Sequence, residues 1–528
     1  MRSPYFPARS VLFHKEPNGV TYRVPALLYL SRSRSFLAFC EERLSPSDSQ
    51  AHLLVMRRGT FYRNYVEWED MRVLGSAFLP GHRSMNPCPV YDEFTGTLFL
   101  FFIAVLGHTS ESYQLVTGKN VTRLCYIRST DDGDTWSPVT DLTKKVIGDT
   151  IKEWATFALG PGHGIQLKSG RLLIPAYAYH IECKECFGQL CQTTPHAFCF
   201  HSDTHGRTWR FGHAVPGPES VECQMVSVDE EDGTNVLYCN ARSPLGYRVQ
   251  ALSLDDGAVF QEGQLVQRLV EPRNGCHGSI VGFPAPLHLC QSLHHHLHQP
   301  IHNSRHWTSC MTNISTPVSP SHSAPPDFLT PTWVVYSHPT WTTARKDLGV
   351  FLSLFPRDPD SWRGPWVIYE GPSAYSDLAY LELPPSPGAP PAVAFACLFE
   401  CGTTTAYDEI CFSIFTLYEL IDNLPRDEQL GKNDDEYERR QDRESGTDRR
   451  SRNSRHQSLP VFHQMKKRKK KSKLTDIIMR IIVVLALLTG VTGSPNVTIA
   501  PEADSADVSA HPNSVPETAE ETELFGQD

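Results

Sequence analysis

Residues 129–136 read STDDGDTW, and this octet decides the fold class. In the pattern S-x-D-x-G-x-T-W the Asp carboxylate bonds nearby backbone N–H groups, the Gly takes a positive φ and the aromatic ring tucks between strands. The octet therefore reads as a hairpin turn. Residues 253–260, SLDDGAVF, form a weaker copy with Phe260 in the Trp position. Residues 202–209, SDTHGRTW, form a third, with Thr204 where the Asp belongs and Asp203 one residue early. A turn that recurs between strand-like runs signals a repetitive β-architecture, a propeller. The octets are structural and carry no expected catalytic role.

Short apolar runs flank these turns. The clearest are residues 95–105, 123–129, 171–179, 235–242 and 331–338. Amphipathic helices are scarce, with at most a short one over 149–157, so the chain reads as all-β from Leu12 to about Leu420. The 528 residues suit one large β-domain with appended segments. A net charge of −10 argues against nucleic acid as the main partner. The first twenty residues lack the apolar core of a secretory signal. Fifteen cysteines, odd in number and mostly in apolar surroundings such as Cys40, Cys125, Cys239, Cys397 and Cys411, read as free buried thiols. The sequons at Asn120 and Asn313 are accordingly expected to stay bare.

The domain runs over residues 1–421. Within it, residues 283–330 are rich in His, Pro and Ser and read as a disordered insertion, with clustered imidazoles that also suit a metal. Cys183, Cys186, Cys191 and His196 have metal-like spacing in a second insertion. Residues 422–465 read as a charged disordered linker. Residues 466–493 hold KKRKKKSK and then an apolar stretch, Ile477 to Val491, interrupted by Arg480. That stretch is shorter than the about 20 residues of a comfortable span. With its basic flank it reads as a membrane anchor, spanning or interfacial, or alternatively as a nuclear import signal. Residues 494–528 form an acidic disordered tail.

The densest chemistry lies in residues 21–48, TYRVPALLYLSRSRSFLAFCEERLSPSD. An arginine set against an apolar strand is costly unless it meets an anion. Arg23 alone reads as an ion pair at a strand end, but similar arginines recur at Arg242 and Arg345. YRVPALLYL (22–30), GHRSMNPCP (81–89), ALGPGHG (158–164), VECQ (221–224), NARS (240–243), ARKDLG (344–349) and AYSDL (374–378) together resemble the animal exo-α-sialidases. The resemblance covers about residues 11–421 and is greatest to the membrane-associated, ganglioside-cleaving type.

The resemblance implies a six-bladed β-propeller and retaining hydrolysis of terminal sialic acids, with no metal and no cofactor. Sialylated glycolipids (gangliosides) are the expected partners, with glycoproteins and oligosaccharides as alternatives. It implies a membrane-associated enzyme, or else a nuclear or cytosolic one. It also implies that Arg23, Arg242 and Arg345 grip the sugar carboxylate, because guanidinium forks pair with carboxylates bidentately. Glu400 is the expected partner of Arg23. Tyr375 is the implied nucleophile, since a neutral phenol escapes the repulsion a carboxylate meets at a carbon already bearing one. Glu222 is its implied base and Asp48 the acid/base. Glu41, Arg43, Met85, Asn86, Glu111, Tyr177 and Tyr179 lie in stretches that resemble substrate-contacting ones. His277 stands where relatives carry Gln and is expected at the glycerol chain of the sugar. The rival reading is a sialic-acid-binding, lectin-like propeller without turnover.

Overall fold

The computed structural model describes residues 5–62, 65–186, 190–230, 233–286, 330–383 and 392–425, all within one compact unit, Met1–Arg439. Most of the 283–330 insertion, the charged linker beyond residue 425, the 466–493 segment and the acidic tail lie outside these residues. Two predicted boundaries move. Phe283 belongs to a strand, Ser279–Pro284, and the helix Leu417–Asn423 runs past residue 421. Among the described residues no helix is long and apolar enough to cross a membrane.

The strands form six antiparallel units. Blade 1 is built from Thr21–Leu30, Ser35–Arg43, Ala51–Tyr62 and Tyr65–Trp68. Blade 2 uses His82–Asp92, Thr97–Leu106, Thr122–Ser129 and Thr140–Asp141; blade 3 uses Trp154–Leu159, Leu172–Cys186, Leu190–Ser202 and Arg210–Phe211. Blade 4 uses Cys223–Asp229, Asn235–Ala241, Tyr247–Ser253 and Gln264–Val270. Blade 5 contains Ser279–Pro284, Thr332–Pro339 and Lys346–Ser353. Its outer strand is the first part of Arg363–Leu383, whose remainder is the innermost strand of blade 6. Ala392–Cys401, Glu409–Thr416 and the N-terminal strand Arg9–His14 complete blade 6, with Arg9 opposite Ser413 and Phe13 opposite Ile410. The ring is thus closed by pairing the two ends of the domain, which leaves no open edge between last blade and first.

Six apolar clusters fill the spaces between neighbouring blades. Phe39 and Met56 of blade 1 meet Leu100 and Phe102 of blade 2, and Phe36 meets Ala396 and Phe412 of blade 6. The middle strands of each blade are covered on both faces and are therefore apolar nearly throughout, as in Thr97–Leu106. The predicted short helix at 149–157 is instead a 3₁₀ turn, Gly148–Glu153, followed by the strand Trp154–Leu159.

The repeated turns follow the third strands of their blades. Ser129 Oγ accepts from Gly133 N at 2.8 Å and Asp131 Oδ1 from Thr135 N at 2.9 Å. Ser253 and Asp255 do the same for Gly257 and Val259, both at 2.9 Å. In the third copy the hydroxyl of Thr204 replaces the carboxylate and accepts from Thr208 N at 2.8 Å. Blade 5 holds a fourth turn that the sequence hid: Ser353 ends the third strand and the buried Trp362 closes it, with two extra residues between. The hydrogen bonds from Ser129 and Thr135 hold the Asp131 carboxyl down to about 2. Asp131→Ala should lower unfolding free energy by about 1 kcal/mol, read from denaturant midpoints at unchanged m-value.

Candidate active site

In each blade the first strand starts, and the second ends, at the same end of the ring. Antiparallel pairing therefore places Arg23 beside Glu41, and Glu222 beside Arg242 through Arg242 N to Glu222 O at 2.8 Å. Three innermost strands carry bulges there, between Arg23 and Ala26, Met85 and Cys88, and Ser373 and Ser376. A bulge bends a strand and re-aims the side chains beside it. Here it turns Arg23, Asn86 and Tyr375 to one recess.

Two fully buried carboxylates hold these bulges. Glu400 Oε1 accepts from Arg23 Nε at 2.7 Å and Val24 N at 2.8 Å, while Oε2 accepts from Tyr375 N at 3.1 Å. Val24 has φ 60°, strained for a β-branched residue, and the Glu400 bond helps to keep it there. Glu41 accepts from Asn86 N at 2.7 Å, with Asn86 at φ 54°, and pairs with Arg43 at 2.6 Å. Burial pushes the Glu41 carboxyl up, against Arg43.

The tyrosine sits among cations. The Tyr375 hydroxyl donates a short hydrogen bond to Glu222 Oε1, and Arg242 Nη1 donates to Glu222 Oε2 at 2.8 Å and to Tyr375 Oη at 3.1 Å. The guanidiniums of Arg345 and Arg23 lie 5.3 and 5.7 Å from the centre of the Tyr375 ring. Burial and the Glu222 charge raise the phenol well above its ordinary value, against Arg242 and Arg345. Burial alone would raise Glu222 too, but Arg242, His277 and the phenol outweigh it and its carboxyl lies below the usual range. The resting pair is therefore a neutral phenol hydrogen-bonded to a carboxylate.

Asp48 lies in a 3₁₀ turn, Asp48–Gln50, at the recess mouth, bonded to Arg43 Nη1 at 2.5 Å and with 70% of its side chain exposed. Partial desolvation at the recess mouth works against its ionisation, but Arg43, Arg23 and Arg345 prevail and lower its pKa. Met85, Glu111 and Tyr177 also line the recess, Glu111 from the first turn of the helix Glu111–Thr117. Tyr179 packs against Tyr177 with ring centres 6.1 Å apart.

His277 departs from expectation. It is 0% exposed and lies behind Tyr375, ring centres 5.2 Å apart, so it is not on the recess wall. Its Nε2 hydrogen bonds the Pro161 carbonyl at 2.7 Å, and burial pushes its pKa down to about 4 despite Glu222 and Asp377. A loop contact with a sugar is replaced by packing beneath the phenol. Cys183 also departs: it is disulfide-bonded, neither a free thiol nor a free ligand for the predicted metal cluster, and the Cys186 side chain lies outside the described ones.

Two further residues went unselected in the sequence. Tyr407 lies flat on Arg23, whose Cζ is 3.8 Å from the ring centre, and its hydroxyl accepts from Arg345 Nη1 at 3.3 Å. Arg83 donates to Asp48 O at 3.2 Å and to Gly107 O and Thr109 O at 2.7 Å, tying the Asp48 turn to the neighbouring loop. Arg83 lies within GHRSMNPCP, so the motif marked it; nothing local marks Tyr407.

The fold is a closed β-propeller whose recess gathers guanidiniums and so suits an anionic ligand. Residues 35–383 match the BNR repeat-like domain. The chain is 49% identical to Sialidase-4 of Mus musculus over 79% of its length and 95% of that protein, and 47% identical to Sialidase-4 of Homo sapiens (80% and 96%). Identity to Sialidase-3 of Homo sapiens is 44%, over 79% and 94% of the two chains. The structure of the Hadza microbial sialidase Hz136 shares the fold at TM-score 0.56 and 21% identity, covering 78% of this chain and 69% of that one. The chain belongs to the animal sialidase family. It is an exo-α-sialidase, EC 3.2.1.18, acting on sialoglycoconjugates. Its identity to the Sialidase-4 chains exceeds that to Sialidase-3, which shifts the finer resemblance expected from the motifs.

Removing the Glu400 charge leaves Arg23 buried without its partner. Glu400→Gln should destabilise the fold by about 3–5 kcal/mol, measured by denaturant unfolding, and weaken sialoside binding.

Proposed function

We propose that the recess hydrolyses terminal α-linked sialic acids with retention, and that membrane-presented gangliosides are its preferred glycoconjugates. The observation that carries the mechanism is the Tyr375 phenol donating to a buried, ionised Glu222 with three guanidiniums around it. Arg23, Arg242 and Arg345 receive the sugar carboxylate. Tyr375 Oη attacks the anomeric carbon while its proton passes to Glu222 Oε1, so no free phenolate forms. The bond to the departing oxygen breaks as Asp48 protonates it. Asp48 then takes a proton from water, the water oxygen attacks the anomeric carbon, and the Tyr–sugar bond breaks as Glu222 returns the proton. Two inversions give net retention.

Asp48 is held ionised by cations that the substrate carboxylate neutralises, so binding raises its pKa towards that of a proton donor. The ganglioside preference is supported by the basic run and apolar stretch of residues 466–493, which suit attachment to the surface where such lipids reside.

Tyr375→Phe should fold normally and lose about 10²–10⁴-fold in kcat, with proton NMR of the wild-type reaction showing the α-anomer released first. Sialoside binding by wild type without turnover would replace this reading with the lectin-like one. The wild type should turn over ganglioside micelles faster than a soluble sialoside, and an equal or reversed ratio removes the glycolipid preference. Because Glu222 acts ionised and its carboxyl lies below the usual range, the acid limb of kcat/KM should lie beneath that range, while ionisation of Asp48 sets the alkaline limb. Arg242→Gln, which removes the largest opposing charge, should move this acid limb upward.

A further inference from the structure

Away from the recess chemistry, the last two strands of blade 6 bring together two thiols and a carboxylate. Cys401 pairs in register with Glu409, and Phe399 with Cys411, so Cys401, Glu409 and Cys411 share one face of the sheet. The two sulfurs are 3.1 Å apart, and Cys411 Sγ is 3.7 Å from Glu409 Oε2. All three ligand atoms lie within 4.8 Å of one another. Both thiols are fully buried, while Glu409 is half-buried and opens a path to solvent.

We propose that Cys401, Cys411 and Glu409 form a binding site for a divalent thiophilic metal ion of the zinc class. Tetrahedral zinc with bonds of about 2.3 Å to sulfur holds two thiolates about 3.8 Å apart, so the sulfurs need to separate by under an ångström. The sulfur–carboxylate distance already fits. Two thiolates, a carboxylate and a divalent ion sum to −1. The Arg9 guanidinium, over the Tyr369 ring at 4.9 Å and acting on Cys401, supplies a compensating charge. The fourth position falls to water through the Glu409 side. Binding to two thiols displaces their protons, so loading strengthens as pH rises.

The place of the site gives it consequence. Cys401 follows Glu400, and the two cysteines bracket the loop carrying Tyr407, which lies on Arg23. A metal here staples that loop at its base without itself entering the hydrolytic cycle.

The full-length protein, stripped with a chelator under reducing conditions, would be titrated with cobalt(II) as a spectroscopic stand-in for zinc. The expected result is a sulfur-to-cobalt charge-transfer band saturating at one equivalent and reversed by zinc. The band should vanish in Cys411→Ser and weaken in Glu409→Gln, whose half-buried position tolerates the change. Thermal midpoints should rise with zinc in the wild type and not in Cys411→Ser. A band that persists unchanged in Cys411→Ser comes from other cysteines and overturns the proposal. So does the absence of any band, or mass spectrometry showing the pair already joined as a disulfide with no metal retained.

Discussion

The Glu400 carboxylate is the constraint on which the rest of the recess depends. It takes one charged donor, Arg23, and two backbone donors, Val24 and Tyr375, from the innermost strands of different blades. A carboxylate buried without such partners would be neutralised or expelled. With them it joins blade 6 to blade 1 where the ring closes, and it locks two bulges at once. Arg23 and the backbone of Tyr375 are thereby referenced to the same two oxygens. Glu41 repeats the device between blades 1 and 2, linking Arg43 to the bulged Asn86.

Above this frame the electrostatics are divided rather than uniform. Three guanidiniums favour anions, yet the phenol stays neutral because burial and Glu222 oppose them. A cation-rich site that nonetheless keeps its phenol protonated avoids a standing phenolate, which would hold a guanidinium to itself. Arg242 touches both partners, so it lowers the carboxylate and orients the phenol together.

Several elements were legible in the chain. Middle strands such as Thr97–Leu106 are covered on both faces by neighbouring blades and so appear as unbroken apolar runs. Three of the four Ser-to-aromatic turns keep the spacing of residues 129–136. The fourth, Ser353 to Trp362, was hidden by two additional residues. Other features left no local signal. The bulge at Arg23–Ala26 depends on a bond to Glu400, 376 positions away, and the positive φ of Val24 contradicts its own β-branched preference. Tyr407 is an ordinary loop tyrosine until Arg23 is brought beneath it. His277 sits in a motif of the right shape, but its burial behind Tyr375 follows from how blades 3 and 5 approach the axis, where Pro161 meets it.

The sequence by itself determined that the chain is a repetitive β-protein, and its motifs named most of the side chains that meet in the recess. This follows because turn chemistry and strand burial are properties of a few contiguous residues. Tertiary structure alone decided the protonation of the Tyr375–Glu222 pair, the retreat of His277, and the convergence of Cys401, Glu409 and Cys411. Each of those depends on distance and solvent exclusion between segments that only ring closure brings together.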